Sequence, residues 1–192
     1  MLLPQMIWAI PIGRYRRATS QGLIDHYLDP MEQLENDFPS INFVYMTDHT
    51  DGNGLDRSVA INNQQIRDYY LDNSKILFDF EDIESYDPDG NYFGNKFVRD
   101  DCSYHNDTYS GNWAIEWQNA HPGEWYDCES AHSQPLNANM KAYATWWLWA
   151  YLAGWNDTTA STDKLSETST SAQLTIVALL MSIVLIAVIR KR

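Results

Sequence analysis

Two apolar segments on either side of an amphipathic one constrain the fold of this chain more than any other feature. Residues 41–47 and 75–80 are rich in β-branched and aromatic side chains, which predicts two buried strands. Residues 56–71 lie between them and predict a helix, with Ile66 and Tyr69 among its apolar positions. Two strands joined by one helix in this way run parallel, with a right-handed crossover. We therefore expect an α/β protein with a parallel sheet.

Both predicted strands end in polar loops. Residues 48–54 read Asp-His-Thr-Asp-Gly-Asn-Gly. The loop over residues 82–91 contains four carboxylates: Asp82, Glu84, Asp87 and Asp89. Loops that follow parallel strands emerge at the same edge of the sheet, where ligands bind in open α/β folds. Residues 87–91 match only part of a calcium-binding loop, because the later bidentate glutamate is missing. We expect a functional crevice at this edge, with no metal and no cofactor assigned to it.

A histidine precedes the last predicted helix, which covers residues 137–155 and has Asn137 as its N-cap. Glu129 lies three residues before His132, and a carboxylate at this spacing can orient an imidazole as a general base. The helix also carries a Trp-rich apolar stripe. We interpret this stripe as core packing, with a sugar-binding aromatic face as the alternative. Two further helices are predicted over residues 22–37, broken near Pro30, and over residues 112–121.

The end of the chain predicts a membrane anchor. Residues 172–189 form an uncharged apolar run just long enough to span a bilayer as a helix, and residues 190–192 are basic. Because basic flanks stay in the cytoplasm, the preceding domain is expected outside the cell, and a tail anchor with a cytosolic domain is the alternative. Residues 156–171 are rich in Ser and Thr and predict a stalk. The expected organisation is a folded domain over residues 1–155, the stalk, one transmembrane helix and a basic cytoplasmic tail.

Charge and cysteine content narrow the class of protein. The formal net charge is −13, and none of the 26 acidic residues lies beyond residue 171, which excludes nucleic acid as a partner. Cys102 and Cys128 lack the spacing of zinc ligands. We expect a disulfide between them in an exported protein and two free thiols in a cytosolic one. The sequons at Asn106 and Asn156 permit glycosylation of an exported chain.

The first residues do not match an export signal. Residues 1–12 are apolar, but they contain Pro4 and Pro11, and the basic residues follow rather than precede them. This pattern is a poor signal peptide. Since a domain displayed outside the cell needs such a signal, we expect the sequence to be an N-terminally truncated fragment.

With these motifs, residues 40–155 resemble the later part of an SGNH/GDSL-type hydrolase. The catalytic histidine of that family lies in an Asp-x-x-His motif before the final helix, and that position corresponds to His132, with Glu129 in place of the acid. The family's Gly-x-Asn-Asp block follows a central strand, where this chain has Thr-Asp-His-Thr-Asp-Gly-Asn, containing His49 and Asn53. The resemblance implies a three-layer, flavodoxin-like α/β fold. It also implies four catalytic residues: His132, Glu129, His49 and Asn53. We expect His49, the loop over residues 82–91 and His132 to converge at one pocket.

The family's nucleophile, a serine in a Gly-Asp-Ser motif, does not occur in this sequence. Without an activated serine, His132 has nothing to deprotonate. The resemblance therefore implies esterase-type acyl hydrolysis if the nucleophile lies upstream. As written, the chain is expected to be inactive in an ester-cleavage assay. The alternative is a non-catalytic cell-surface module that binds carbohydrate, such as an acylated glycan, or another envelope component. A purely structural envelope protein is the third possibility.

Overall fold

A small parallel sheet organises the computed structural model, which describes residues 6–9 and 18–155, with side chains from residue 18 onward. Strands β1 (Met6–Ala9), β2 (Asn42–Met46) and β3 (Ile76–Phe78) lie in that order, and both pairs are parallel. The register places Val44 opposite Ile76. The two strands predicted from the sequence are confirmed, and a further parallel strand precedes them.

Helices connect the strands. The connection from β1 to β2 contains α1 (Ser20–Leu23), a five-residue π-helical stretch (Ile24–Leu28) and α2 (Asp29–Asp37), and α3 (Ser58–Asp72) joins β2 to β3. The sequence had predicted a break near Pro30. The helical chain instead continues through this residue. The N–H of Asp29 donates to the carbonyl of Ile24, which widens the helix just before the proline. This change of register lets Pro30, which has no N–H, stand in the first turn of α2.

The second half of the described chain contains shorter elements and one long helix. They are α4 (Phe80–Ser85), a 3-10 turn (Gly94–Lys96), the hairpin strands β4 (Ser103–His105) and β5 (Ser110–Asn112), α5 (Trp113–Ala120) and α6 (Pro135–Leu152). The predicted N-cap of the last helix at Asn137 is wrong. The helix begins at Pro135, whose missing N–H suits the first helical position, and Asn137 is fully buried two residues further along.

The predicted acidic loop 82–91 also begins as a helix. Asp79 caps α4, because its carboxylate accepts the backbone N–H of Asp82. Only the part from Tyr86 onward is irregular. There the Asp87 carboxylate accepts the backbone N–H groups of Asp89 and Asn91 and the Asn91 side-chain amide. Hydrogen bonds from within the turn therefore hold this carboxylate, and the turn requires no cation.

The core lies on both faces of the sheet because successive side chains of β2 point in opposite directions. Phe43 and Tyr45 pack in one buried cluster with side chains of the connecting helices: Leu23, Leu28 and Ile66. Val44 and Met46 pack in another cluster with Phe78 of β3 and Leu148 of α6. The chain thus has a mixed α/β fold with helices on either side of a small parallel sheet.

The aromatic stripe of α6 is less buried than the sequence predicted. Leu148 is buried, but Trp147 and Tyr151 are 53% and 51% exposed. Tyr143 and Trp146, at neighbouring positions of the helix, are 65% and 67% exposed. The interpretation of this stripe as core packing is therefore wrong for its aromatic members. The aromatic side chains remain exposed because α6 packs on α4 and α5 with only part of its surface.

The predicted stalk (156–171), transmembrane helix (172–189) and basic tail (190–192) lie outside the described residues. Among residues 6–9 and 18–155, no helix has the length and apolar character needed to cross a membrane.

Candidate functional site

The centre of the candidate site is the carboxylate of Glu84, which is fully buried in α4. Its Oε1 contacts His49 Nδ1 at 2.6 Å and Lys141 Nζ at 2.7 Å. Its Oε2 accepts the backbone N–H of Thr50 at 2.9 Å and the hydroxyl of Thr50 at 3.1 Å. Both oxygens thus have two donors each, which offsets the cost of burying the charge.

The polar loop after β2 brings His49 to this carboxylate. The backbone N–H of Asp48 donates to Asn63 Oδ1, and Asn63 Nδ2 donates back to the Asp48 carbonyl. Thr47 binds the start of α4, since its hydroxyl donates to Asp79 and accepts the N–H of Glu81. The loops after β2 and β3 therefore meet at one edge of the sheet, as the parallel strands had predicted.

Electrostatics in this cluster favour the ionised carboxylate. Burial raises the pKa of Glu84, but the hydrogen bond from His49 and the charge of Lys141 outweigh it, so the pKa lies below its ordinary value. The hydrogen bond to Glu84 raises the pKa of His49, while burial and the charge of Lys141 act in the opposite direction. Glu84 is thus a permanent anion at neutral pH that stabilises the imidazolium form of His49.

The ring of His49 remains accessible on its other side. Its side chain is 34% exposed. It packs against the ring of Phe80, with 4.8 Å between ring centroids. Among the described residues, no side chain hydrogen-bonds to its Nε2. A carboxylate that fixes Nδ1 and leaves Nε2 free is the arrangement of an imidazole that transfers protons. Of the four residues predicted from the sequence, His49 is the one that the structure places in such an environment.

Asn53 lies further along the same loop and does not contact His49. Its backbone N–H and side-chain amide donate to the carboxylate of Asp51, at 3.1 and 2.7 Å. Asn53 also lines a surface depression of about 470 Å³ together with Arg57 and Phe97. Its predicted catalytic role stays a prediction.

Glu129 and His132 are both exposed, in the segment before α6. Within residues 18–155, neither side chain makes a hydrogen bond or an ion pair. The prediction that Glu129 orients His132 is therefore not borne out by their geometry. The backbone of His132 adopts the left-handed conformation, with φ of 59°, in a turn. Within the described residues, no hydrogen bond or ion pair joins His132 to His49, and a catalytic role for His132 stays a prediction.

The cysteines do not form the disulfide expected of an exported chain. Both are free thiols. Cys102 is buried 3.8 Å from the hydroxyl of Ser133, and burial raises the pKa of its thiol to about 12. The Cys128 sulfur instead lies 3.5 Å from Asn139 Nδ2. Each sulfur is thus packed against a different partner near the start of α6.

A separate cavity of about 720 Å³ lies on the other side of α4, against α3. Glu81 and Ser85 of α4 line it, whereas Glu84 contacts α6. Arg67 of α3 reaches the same wall and pairs with Glu81 at 2.8 Å. Neither His49 nor His132 lines this cavity, so the single shared pocket predicted from the sequence is not formed there.

Sequence reasoning missed Glu84 as the organising residue and Lys141 as its partner. Glu84 was one of four acids in a segment predicted to be a loop. Lys141 had a signal that could have been used, because it is the one charged residue in α6, Pro135–Leu152. A single charge in an otherwise uncharged helix requires a partner if it is half-buried.

Comparison of the chain with family models, curated proteins and solved structures gave no match. Among the described residues, no group of three or more His, Cys, Asp or Glu side chains could hold a metal ion. The residues and their geometry therefore carry the functional argument.

Proposed function

We propose that this chain is an SGNH-type acyl hydrolase in which His49 and Glu84 perform the acid–base chemistry. One observation carries the proposal: a buried carboxylate fixes Nδ1 of a partly exposed imidazole at 2.6 Å. This pair lies beyond the carboxyl ends of parallel strands, where sites in open α/β sheets are found. Helices on both faces of the sheet are consistent with the three-layer, flavodoxin-like architecture of that family.

In the proposed reaction, His49 Nε2 accepts the proton of a hydroxyl group as its oxygen attacks the carbonyl carbon of an ester. The imidazolium then donates this proton to the departing alkoxide, and the ester bond breaks. Glu84 remains ionised throughout and stabilises the imidazolium. In SGNH hydrolases the hydroxyl belongs to a serine. In the part of the chain that the structure describes, no hydroxyl group hydrogen-bonds to Nε2. We therefore assign water as the nucleophile, which departs from the expectation from the sequence that the chain is inactive without a serine.

An activated ester tests this assignment. We expect the 192-residue protein to hydrolyse p-nitrophenyl acetate faster than buffer alone, and the His49→Ala variant to lose this activity. The matched control is His105→Ala, because His105 is an exposed histidine in β4 with no side-chain contact to the Glu84 cluster. Equal rates for the wild type and His49→Ala would exclude the proposed role. A loss in His132→Ala instead would move the acid–base role to the histidine predicted from the sequence.

We also propose that the domain is anchored in the cell membrane and lies outside the cell. The uncharged run 172–189 and the basic residues 190–192 support this orientation. Protease added to intact cells should then remove the domain. Cleavage that occurs only after lysis would place the domain in the cytosol.

A second candidate function is a non-catalytic module that binds carbohydrate. The rings of Trp147 and Tyr151 support it, because they are half exposed, parallel within 5° and 5.6 Å apart. A flat aromatic surface of this kind can stack against a sugar ring. Titration with soluble oligosaccharides should then change the tryptophan fluorescence, and Trp147→Ala should abolish the change. Absence of any change with the wild type would reject this candidate.

A further inference from the structure

A lysine from α6 competes with the proposed acid–base histidine for the same oxygen atom. Lys141 Nζ and His49 Nδ1 contact Glu84 Oε1 at 2.7 and 2.6 Å. Because both nitrogens contact one oxygen atom, they are close enough for their positive charges to repel each other. We propose that Lys141 is a positioning residue that sets the protonation state of His49 through this shared oxygen.

Packing fixes the lysine in this place. Its ammonium group lies 5.2 Å from the centroid of the Phe80 ring, and the same ring packs against His49. The Lys141 side chain is 21% exposed, and that of Glu84 is not exposed at all. Lys141 thus has a short ion pair and an aromatic neighbour, which together hold its charge beside the imidazole.

The charged groups around His49 come from three elements. Glu84 of α4 favours the imidazolium, and so does Asp48 in the loop after β2. Lys141 of α6 opposes it. If only the two carboxylates faced it, the histidine would stay protonated to higher pH. It would then accept protons less readily at neutral pH. The charge of the lysine acts against this and favours the neutral imidazole, which is the form that a general base requires.

This inference rests on the acid–base role proposed for His49, but its test does not depend on turnover. Long-range proton–nitrogen NMR correlations of imidazole report protonation directly. The full chain in detergent micelles is titrated, and the His49 signals are identified by their loss in His49→Ala. We expect Lys141→Met to raise the midpoint of His49 by about one pH unit. We expect Lys141→Arg, which keeps the charge, to restore the wild-type midpoint.

The matched control is Lys96→Met, which removes one lysine charge at a residue whose ammonium lies over Phe93 rather than at Glu84. This control should leave the His49 midpoint unchanged. An unchanged midpoint in Lys141→Met would overturn the inference, and so would an equal shift in Lys96→Met. If Lys141→Met shifts the His49 midpoint but the wild-type protein does not hydrolyse esters, the role of Lys141 stands and only the hydrolase proposal is rejected.

Discussion

Glu84 is the side chain on which the stability of the candidate site depends. It is fully buried, and each of its oxygens receives two hydrogen bonds, from His49, Lys141 and Thr50. Removing one member of such a buried ionic group leaves the others unpaired, at a cost of about 3 kcal/mol. The sequence identified Glu84 only as one of several neighbouring acids, because the partners that make it special come from residues 35 and 57 positions away.

The pH dependence of stability should report this cluster. Glu84 has a folded pKa below its ordinary value of 4.5, so its contribution is present above about pH 4.5 and is lost as the pH falls through the folded pKa. His49 has a folded pKa above its ordinary value of 6.5, so its contribution is present below that pH and is lost as the pH rises through the folded pKa. Together they stabilise the fold most between about pH 4.5 and 6.5.

Urea unfolding at a series of pH values measures this contribution. Glu84→Gln should lower the free energy of unfolding by about 3 kcal/mol in that window and by less on either side of it. Glu124→Gln is the matched control, because Glu124 is exposed and should change stability by less than about 0.5 kcal/mol. A loss in Glu84→Gln that is the same at every pH would show that the site is stabilised by packing rather than by charge.

Among the elements, the βαβ unit was predictable and α4 was not. β2, α3 and β3 could be predicted because the apolar residues within each segment determine its secondary structure. The start of α4 rests on Asp79, whose carboxylate binds Asp82 next to it, Thr47 of the preceding loop and Arg67 of α3. Two of these partners are distant in sequence, so the segment resembled a polar loop. Arg67 also pairs with Glu81, and it therefore connects α3 to the first turn of α4.

Loss of this connection should destabilise the fold. Arg67→Met leaves Asp79 and Glu81 without their cation in a site where all three side chains are less than a quarter exposed, so we expect a loss of about 2 kcal/mol. Arg57→Met is the comparison, because the pair of Arg57 with Asp56 is mostly exposed and should contribute less than about 0.5 kcal/mol. Chemical denaturation of both variants gives the two values, and similar losses would contradict the structural role of Arg67.

Across the chain, the class of fold could be predicted from the sequence, but the residues that form the site could not. Parallel pairing of β2 and β3 implied that the segments after them meet, and His49 does contact Glu84, which lies in α4 directly after β3. The expected pair of Glu129 and His132 was inferred from spacing along the chain. Spacing does not determine whether two exposed side chains hydrogen-bond to each other, and within residues 18–155 these two make no hydrogen bond or ion pair. We therefore propose His49 and Glu84, rather than His132 and Glu129, as the acid–base pair.

The pH dependence of ester hydrolysis tests this placement most directly. The rate with p-nitrophenyl acetate is measured for the full chain and for Glu84→Gln from about pH 5 to about pH 9, the range in which histidines titrate. For the wild type we predict a rate that rises through one inflection above pH 6.5, the ordinary value of a histidine. In Glu84→Gln the inflection should move to lower pH, because the neighbour that raises the pKa of His49 is gone. A rate without an inflection, or an inflection that is identical in both proteins, would contradict the account.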